Sequence, residues 1–284
     1  MIKVGIVAYG ITPFTKDDQK IESILFNSVK NLFENNPEID RNHIDAVLVS
    51  TNNNSKYLSP ILSEMTGIQP KIAHSIESLC NSGTNSIVSA YSYIASGLAD
   101  MVLVSGAERY DSPGQILEWD NSRGEFKHPI FWASIFTKSY KREFSISDEQ
   151  LALVSVKNHK QAKQNPNALS NKTFTIQDVM NSKKLTDDLK LLDCSRPCTG
   201  SASILLASQE IAKKNNLNII GPITQQEFLT RNGIEERKKK ILFKASEKQK
   251  HIIEKEYDRL IAQDQMGGIF KCLVVSTYKL SDGQ

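Results

Sequence analysis

KIAHSIESLCNSGTNSIVSAYSYIASGL, residues 71–98, is the stretch whose reading decides the fold. Lys71 to Ile76 is an extended, β-branched run. From Gly83 to Leu98 the apolar residues Ile87, Val88, Tyr91, Ile94, Ala95 and Leu98 fall on one face of a helix. Between them, Ser78-Leu79-Cys80-Asn81-Ser82-Gly83 sets one sulfur at a strand-to-helix corner. A helix start carries partial positive charge and unpaired N–H groups, which favour thiolate over thiol. A sulfur so placed is suited to carrying an acyl group. The plainer alternative is a small buried side chain, since free cysteine is often buried.

Working outward, strands and helices alternate. Lys3 to Ala8 reads as a strand, and Glu22 to Glu34 as a helix with Ile24, Leu25, Val29, Leu32 and Phe33 at helical spacing. Asp45 to Ser50 is a second strand, followed by polar Asn52-Asn53-Asn54. Leu58 to Thr66 is a short helix ended by Gly67, and Met101 to Ser105 an apolar strand closed by Gly106. This alternation predicts an α/β layered fold. The rhythm breaks over residues 107–190, where Pro113, Pro129 and Pro166 interrupt short helical pieces, Asp148 to Ala162 among them. That segment reads as a loop subdomain inserted into a first domain of residues 1–222. A small-residue strand, Ser201 to Ser208, restores the rhythm. Residues 223–284 read as a charged tail: a surface helix over Glu235–Gln265 with a basic run Arg237–Lys240, then a strand over Lys271–Lys279.

The chain has 284 residues, 39% hydrophobic, which suffices for one large domain plus a small extra unit. Its 35 basic and 32 acidic residues nearly cancel, so charge gives no argument for nucleic-acid binding. No apolar run approaches the roughly 18–20 residues needed to span a bilayer. Four cysteines, Cys80, Cys194, Cys198 and Cys272, are too few for a disulfide framework, and a reducing cytoplasm is expected. Cys194 and Cys198 lie four apart, but the five histidines are scattered and complete no tetrahedral set, so no metal is expected. His74, on the strand before Cys80, reads as a core residue satisfied by backbone, and His159 as helix packing or capping. Trp119, Phe131, Trp132 and Phe136 suit core packing, or the apolar wall of a ligand channel.

Five segments in order resemble the thiolase family, most closely its archaeal and sterol-carrier-protein-type members. They are Gly5 to Phe14, Cys80-Asn81-Ser82-Gly83, Asp100 to Glu108, Val154 to Asn167, and Asp193 to Pro197 leading into Gly200-Ser201-Ala202. The resemblance implies a thiolase-like layered α/β fold, with the first half present and the second largely missing. It implies acyl-coenzyme A as substrate rather than a bound cofactor, with Cys80 as nucleophile and its backbone N–H as an oxyanion donor. Ser82 and Gly83 then stand as small residues beside the thioester. A homodimer is implied as well.

The departures lie in the C-terminal part. The family's second half brings a Gly-His-Pro histidine and a second, acid/base cysteine. Here His251 sits in Gln249-Lys250-His251-Ile252, and Cys272 in an apolar strand pattern. Pro197-Cys198-Thr199-Gly200 stands where an aspartate–glycine pair is usual. Two readings follow. One is an acyl-CoA acyltransferase of thiolase type, impaired or completed by a thiolase-like or acyl-transfer partner chain. The other is a non-catalytic thiolase-like assembly or binding subunit.

Overall fold

In the computed structural model the described residues are 3–52, 55–111, 126 and 128–223. The chain divides into two compact units, Met1–Ile220 and Gly221–Gln284. The tail helix, the Arg237–Lys240 run, the last strand, His251, Cys272, Trp119 and Pro113 lie outside the described residues.

Five strands build the first unit: β1 (Val4–Ile11), β2 (Ala46–Ser50), β3 (Ile72–Ile76), β4 (Met101–Glu108) and β5 (Gly200–Ser208). They lie in the order β3-β2-β4-β5-β1. β2 runs parallel to both β3 and β4, whereas β5 is antiparallel to β4 and β1. β4 continues through Gly106 to Glu108 rather than closing at the glycine. A Cβ at Gly106 would stand 3.0 Å from Ser50 Oγ, so glycine serves close strand pairing there, not a turn.

Helix α1 (Ile21–Asn35) buries Ile24, Leu25, Val29, Leu32 and Phe33, the stripe its spacing predicts. With α2 (Leu58–Thr66) it covers one face of the sheet, meeting Val47, Val49, Leu103 and Leu205. α2 ends at Gly67, whose φ of 72° is the left-handed conformation that glycine adopts without a steric penalty. Helix α3 (Ser82–Ala95) packs on strands β2–β5. Every residue of β2 is buried, as expected for a strand covered on both faces.

α1 approaches β1 through Gly10. A Cβ there would stand 2.1 Å from the Ser28 carbonyl oxygen and 2.6 Å from the Leu32 nitrogen. Below the contact lies a buried hydroxyl cluster. Ser28 Oγ is 2.7 Å from Ser201 Oγ and 2.6 Å from Ser203 Oγ, and Ser203 Oγ is 2.8 Å from Ser105 Oγ. All four serines are buried, and Ser28 Oγ also lies 2.9 Å from the Leu25 carbonyl, so the hydroxyls are satisfied by one another and by the backbone of α1.

Asp45 ties the starts of the three parallel strands together. Its carboxylate accepts the N–H groups of Asp100 (2.8 Å) and Met101 (3.3 Å) and the Lys71 ammonium (2.9 Å). Its carbonyl accepts the N–H groups of Lys71 and Ile72. Burial pushes the Asp45 carboxyl up, but Lys71 and the two backbone donors outweigh it and hold it below the ordinary 3.8.

Between the adjacent strands β4 and β5 the chain makes its excursion, with α4 (Pro129–Phe144), α5 (Asp148–Ala162) and α6 (Ile176–Met180). Pro129 starts α4 rather than breaking a helix, since a first-turn residue needs no intrahelical donor. α5 opens on a capping box: Ser147 Oγ accepts the Gln150 N–H, and the Gln150 side chain accepts the Ser147 N–H. A short helix α7 (Gln209–Lys214) follows β5, and β6 (Gly221–Ile223) opens the second unit.

Gly10→Ala forces α1 off β1, because backbone atoms and not a flexible side chain stand in the way. It should cost about 1–3 kcal/mol or more in urea unfolding. Asp45 binds a proton more readily unfolded than folded, so its stabilisation is complete above 3.8 and lost as pH falls through its lower folded value. Urea midpoints measured from about pH 5 down to about pH 2 should therefore fall less steeply in Asp45→Asn than in wild type.

Candidate active site at the start of helix α3

β3 ends at Ile76, and a 3-10 turn, Leu79–Asn81, leads directly into α3 at Ser82. Cys80 sits in that turn and is exposed. The preceding residue, Leu79, has φ 51°, a left-handed conformation unusual for a side chain with a Cβ. The turn is held by five polar side chains, those of Glu77, Ser78, Asn81, Ser82 and Asn85. Glu77 Oε1 accepts the Leu79 N–H at 2.6 Å. Ser82 Oγ accepts the Ser78 N–H at 2.8 Å and donates to the Leu79 carbonyl at 2.6 Å. Asn85 Nδ2 donates to Ser78 Oγ at 2.6 Å, while its Oδ1 accepts from Asn81 Nδ2 at 3.2 Å. Ser82 is thus buried and turned inward. Gly83 is exposed, and a Cβ there would meet no protein atom within 4 Å. Nothing in the described residues crowds it.

The face of α3 corrects the sequence expectation. Its buried residues are Ser82, Ser86, Ala90 and Ile94, a stripe at four-residue spacing. The apolar positions Val88 and Leu98 lie outward, 36% and 62% exposed. Of the expected apolar stripe only Ile94 is buried. Small side chains let the helix axis approach strands β2–β5 closely, and the Ser86 hydroxyl is satisfied within the helix by the Ser82 carbonyl at 2.9 Å. Periodicity alone favours the larger residues and misses this.

The carboxyl ends of the parallel strands share one edge, since Ser50 pairs with Ile76 on one side and Gly106 on the other. There the Glu108 carboxylate accepts the Thr51 hydroxyl at 3.1 Å and the Asn52 N–H. Ligands of open α/β sheets commonly bind at such an edge. In the excursion, a cleft of about 780 Å³ is lined by Phe126, Phe131, Trp132, Ile135, Lys184 and Asp187, among others. Phe131 and Trp132 are therefore wall residues of an open cleft.

Three of the described histidines, His74, His128 and His159, are engaged elsewhere. His74, on the sheet-edge strand β3, places Nε2 2.8 Å from the Tyr93 hydroxyl, so a side chain of α3 is its closest partner. A 3.4 Å contact to the Ser75 carbonyl is secondary. His128 caps α4 by accepting the Ile130 N–H. His159 packs edge-on against Phe174, and burial, then Arg196, pushes its pKa down. Cys194 and Cys198 are half-buried. Burial pushes both thiols up, and the charge of Asp193 adds to this at Cys194. Among the described residues no cluster of three or more His, Cys, Asp or Glu side chains is placed to hold a metal ion.

Residues 4–175 match the family model of the thiolase N-terminal domain. The chain belongs to the thiolase family. It is similar to an acetyl-CoA acetyltransferase of Methanothermobacter thermautotrophicus, 30% identical over 166 residues, or 56% of this chain and 43% of that one. A second relative, an acetyl-CoA acetyltransferase of Methanocaldococcus jannaschii, is 25% identical over 228 residues, 75% of this chain and 58% of that one. The chain thus aligns with about half the length of these relatives. Human mitochondrial 3-ketoacyl-CoA thiolase, solved in complex with CoA, shares the fold with a TM-score of 0.63 at 17% identity, over 78% of this chain and 69% of that one. The thiolase-like α/β architecture expected from the sequence is therefore established.

The packing of α3 gives a paired outcome. Ala90→Leu, against the sheet, should destabilise by about 1–3 kcal/mol. Val88→Ser, on the outward face, should stay within about 0.5 kcal/mol of wild type. Denaturant midpoints in the same buffer measure both, and the reverse order would mean that the helix presents its larger residues to the sheet.

Proposed function

We propose that this thiolase-family chain accepts an acyl group from acyl-coenzyme A on the sulfur of Cys80. The observation that carries the reading is the exposure of Cys80 on a constrained turn that leads directly into α3. The cysteine thiolate attacks the thioester carbonyl and the tetrahedral oxyanion collapses. The coenzyme A sulfur then leaves and takes up the proton that Cys80 gave up. One thioester is exchanged for another, so the step needs no oxidant and no metal. In this reading the backbone N–H of Cys80 donates to the oxyanion. The two archaeal relatives carry the name acetyl-CoA acetyltransferase, which makes acetyl the first acyl group to try.

Carbon–carbon bond formation by a second acyl-CoA requires a base to remove a proton from carbon. His74, His128 and His159 are bonded or packed away from Cys80. We therefore place that step on groups outside the described residues or on a complementing partner chain. A homodimer in a reducing cytoplasm fits the reading, with the half-exposed edge strand β3 as its seam.

Incubation with acetyl-CoA should add one acetyl group to the peptide containing Cys80, read by mass spectrometry, and Cys80→Ala should abolish it. If wild-type protein gains no acetyl group there, alone or mixed with candidate partner chains, the reading fails.

A further inference from the structure

We infer that Asn85 is a positioning residue for Cys80. The inference deepens the acyl-transfer reading and rests on it. Asn85 lies one helical turn inside α3, and its amide reaches back to both sides of the cysteine. Its Nδ2 donates to the Ser78 hydroxyl, two residues before the sulfur, and its Oδ1 accepts from the Asn81 amide, one residue after it. Ser78 is also gripped from its own N–H by Ser82 Oγ. Cys80 thus stands between two residues that a single side chain, mounted on a rigid helix, holds together.

The turn needs such a bracket. Leu79 is held at φ 51°, and a residue with a Cβ gains by leaving that region. If the bracket opens, Leu79 relaxes and Cys80 moves with its N–H. The distance from the sulfur to a bound carbonyl and the direction of the oxyanion donor change together. Displacements of about 1 Å at a reacting centre cost up to roughly a hundredfold in rate. The hydrogen bonds of Asn85 go to Ser78 and Asn81, on either side of the cysteine, so it acts through them.

Asn85→Leu keeps the size and removes both hydrogen bonds. Asn85→Asp restores them, because the Ser78 hydroxyl can turn from acceptor to donor while Asn81 Nδ2 still has an acceptor. Acetylation of Cys80 is followed by peptide mass with two donors, acetyl-CoA and 4-nitrophenyl acetate, on the full chain, with thermal midpoints alongside. For Asn85→Leu the expected result is a maximal acetylation rate lower by about tenfold or more. Half-saturation by acetyl-CoA should move less than about twofold, and Asn85→Asp should recover most of the rate. A rate within about twofold of wild type in Asn85→Leu, or an Asn85→Asp variant as slow as the leucine one, overturns the inference. So does a loss of rate that merely follows a loss of folded protein in the thermal scans. If wild type is acetylated by 4-nitrophenyl acetate but not by acetyl-CoA, the acyl-CoA reading fails while Asn85 is still judged on the ester. If neither donor acetylates wild type, both fall.

Discussion

The seat of α3 on the sheet is the contact on which the rest depends. Ser82, Ser86 and Ala90 are small enough to let the helix lie close over strands β2–β5, and Ile94 anchors its far end. That depth of approach fixes the height of the first turn above the carboxyl edge of the parallel strands. The height of the first turn fixes where Cys80 stands. A larger residue in the stripe would lift the helix and carry the cysteine with it, which is a consequence of close packing rather than of any bond to the sulfur. Polar residues in the stripe are tolerated because each hydroxyl is spent locally: Ser82 on the turn, Ser86 on the carbonyl one turn back.

The sheet beneath is held at its amino ends and at its centre by polar devices of different character. At the amino ends Asp45 gathers β2, β3 and β4 through charge-assisted hydrogen bonds, where its partner Lys71 is largely exposed. At the centre the Ser28–Ser201–Ser203–Ser105 cluster joins α1 to β5 and β4 with no charge at all. A slip of one residue along β5 would turn Ser201 and Ser203 away from Ser28 and leave buried hydroxyls without partners, so the cluster specifies register. Register in β5 matters to the site, because β5 lies against β4, whose last residue Glu108 binds the loop that follows β2.

Much of this was legible in the residues. α1 could be read because its apolar spacing and its burial coincide, α2 because Gly67 ends it in the one conformation glycine favours, and α5 because Ser147 and Gln150 announce a capping box. The cysteine corner could be read from the change of period around it. What escaped were features that hydrophobic periodicity does not encode. The inward face of α3 is chosen by how close the sheet comes, so the smaller residues win where periodicity favours Ile87, Val88 and Tyr91. Gly106 looks like a stop but serves close pairing with Ser50. His74 finds Tyr93, nineteen residues away, where the sequence suggested backbone. The bracket of Glu77, Ser78, Ser82 and Asn85 was invisible, because leucine gives no sign that it will be held left-handed.

The two halves of thiolase chemistry make unequal demands on a protein. Passing an acyl group from one sulfur to another exchanges like for like, so in the proposed reading the chain has only to hold a thiolate, aim it and offer donors to an oxyanion. A turn tied to a helix start can do all three. Making a carbon–carbon bond adds the removal of a proton from carbon, which calls for a base at hydrogen-bond distance, and general acid–base assistance is worth roughly a hundred- to ten-thousandfold. The described residues place an exposed cysteine on a tied turn before a helix, while His74, His128 and His159 serve structural partners. In the proposed reading acyl uptake and condensation are therefore separate demands, and the turn around Cys80 answers to the first.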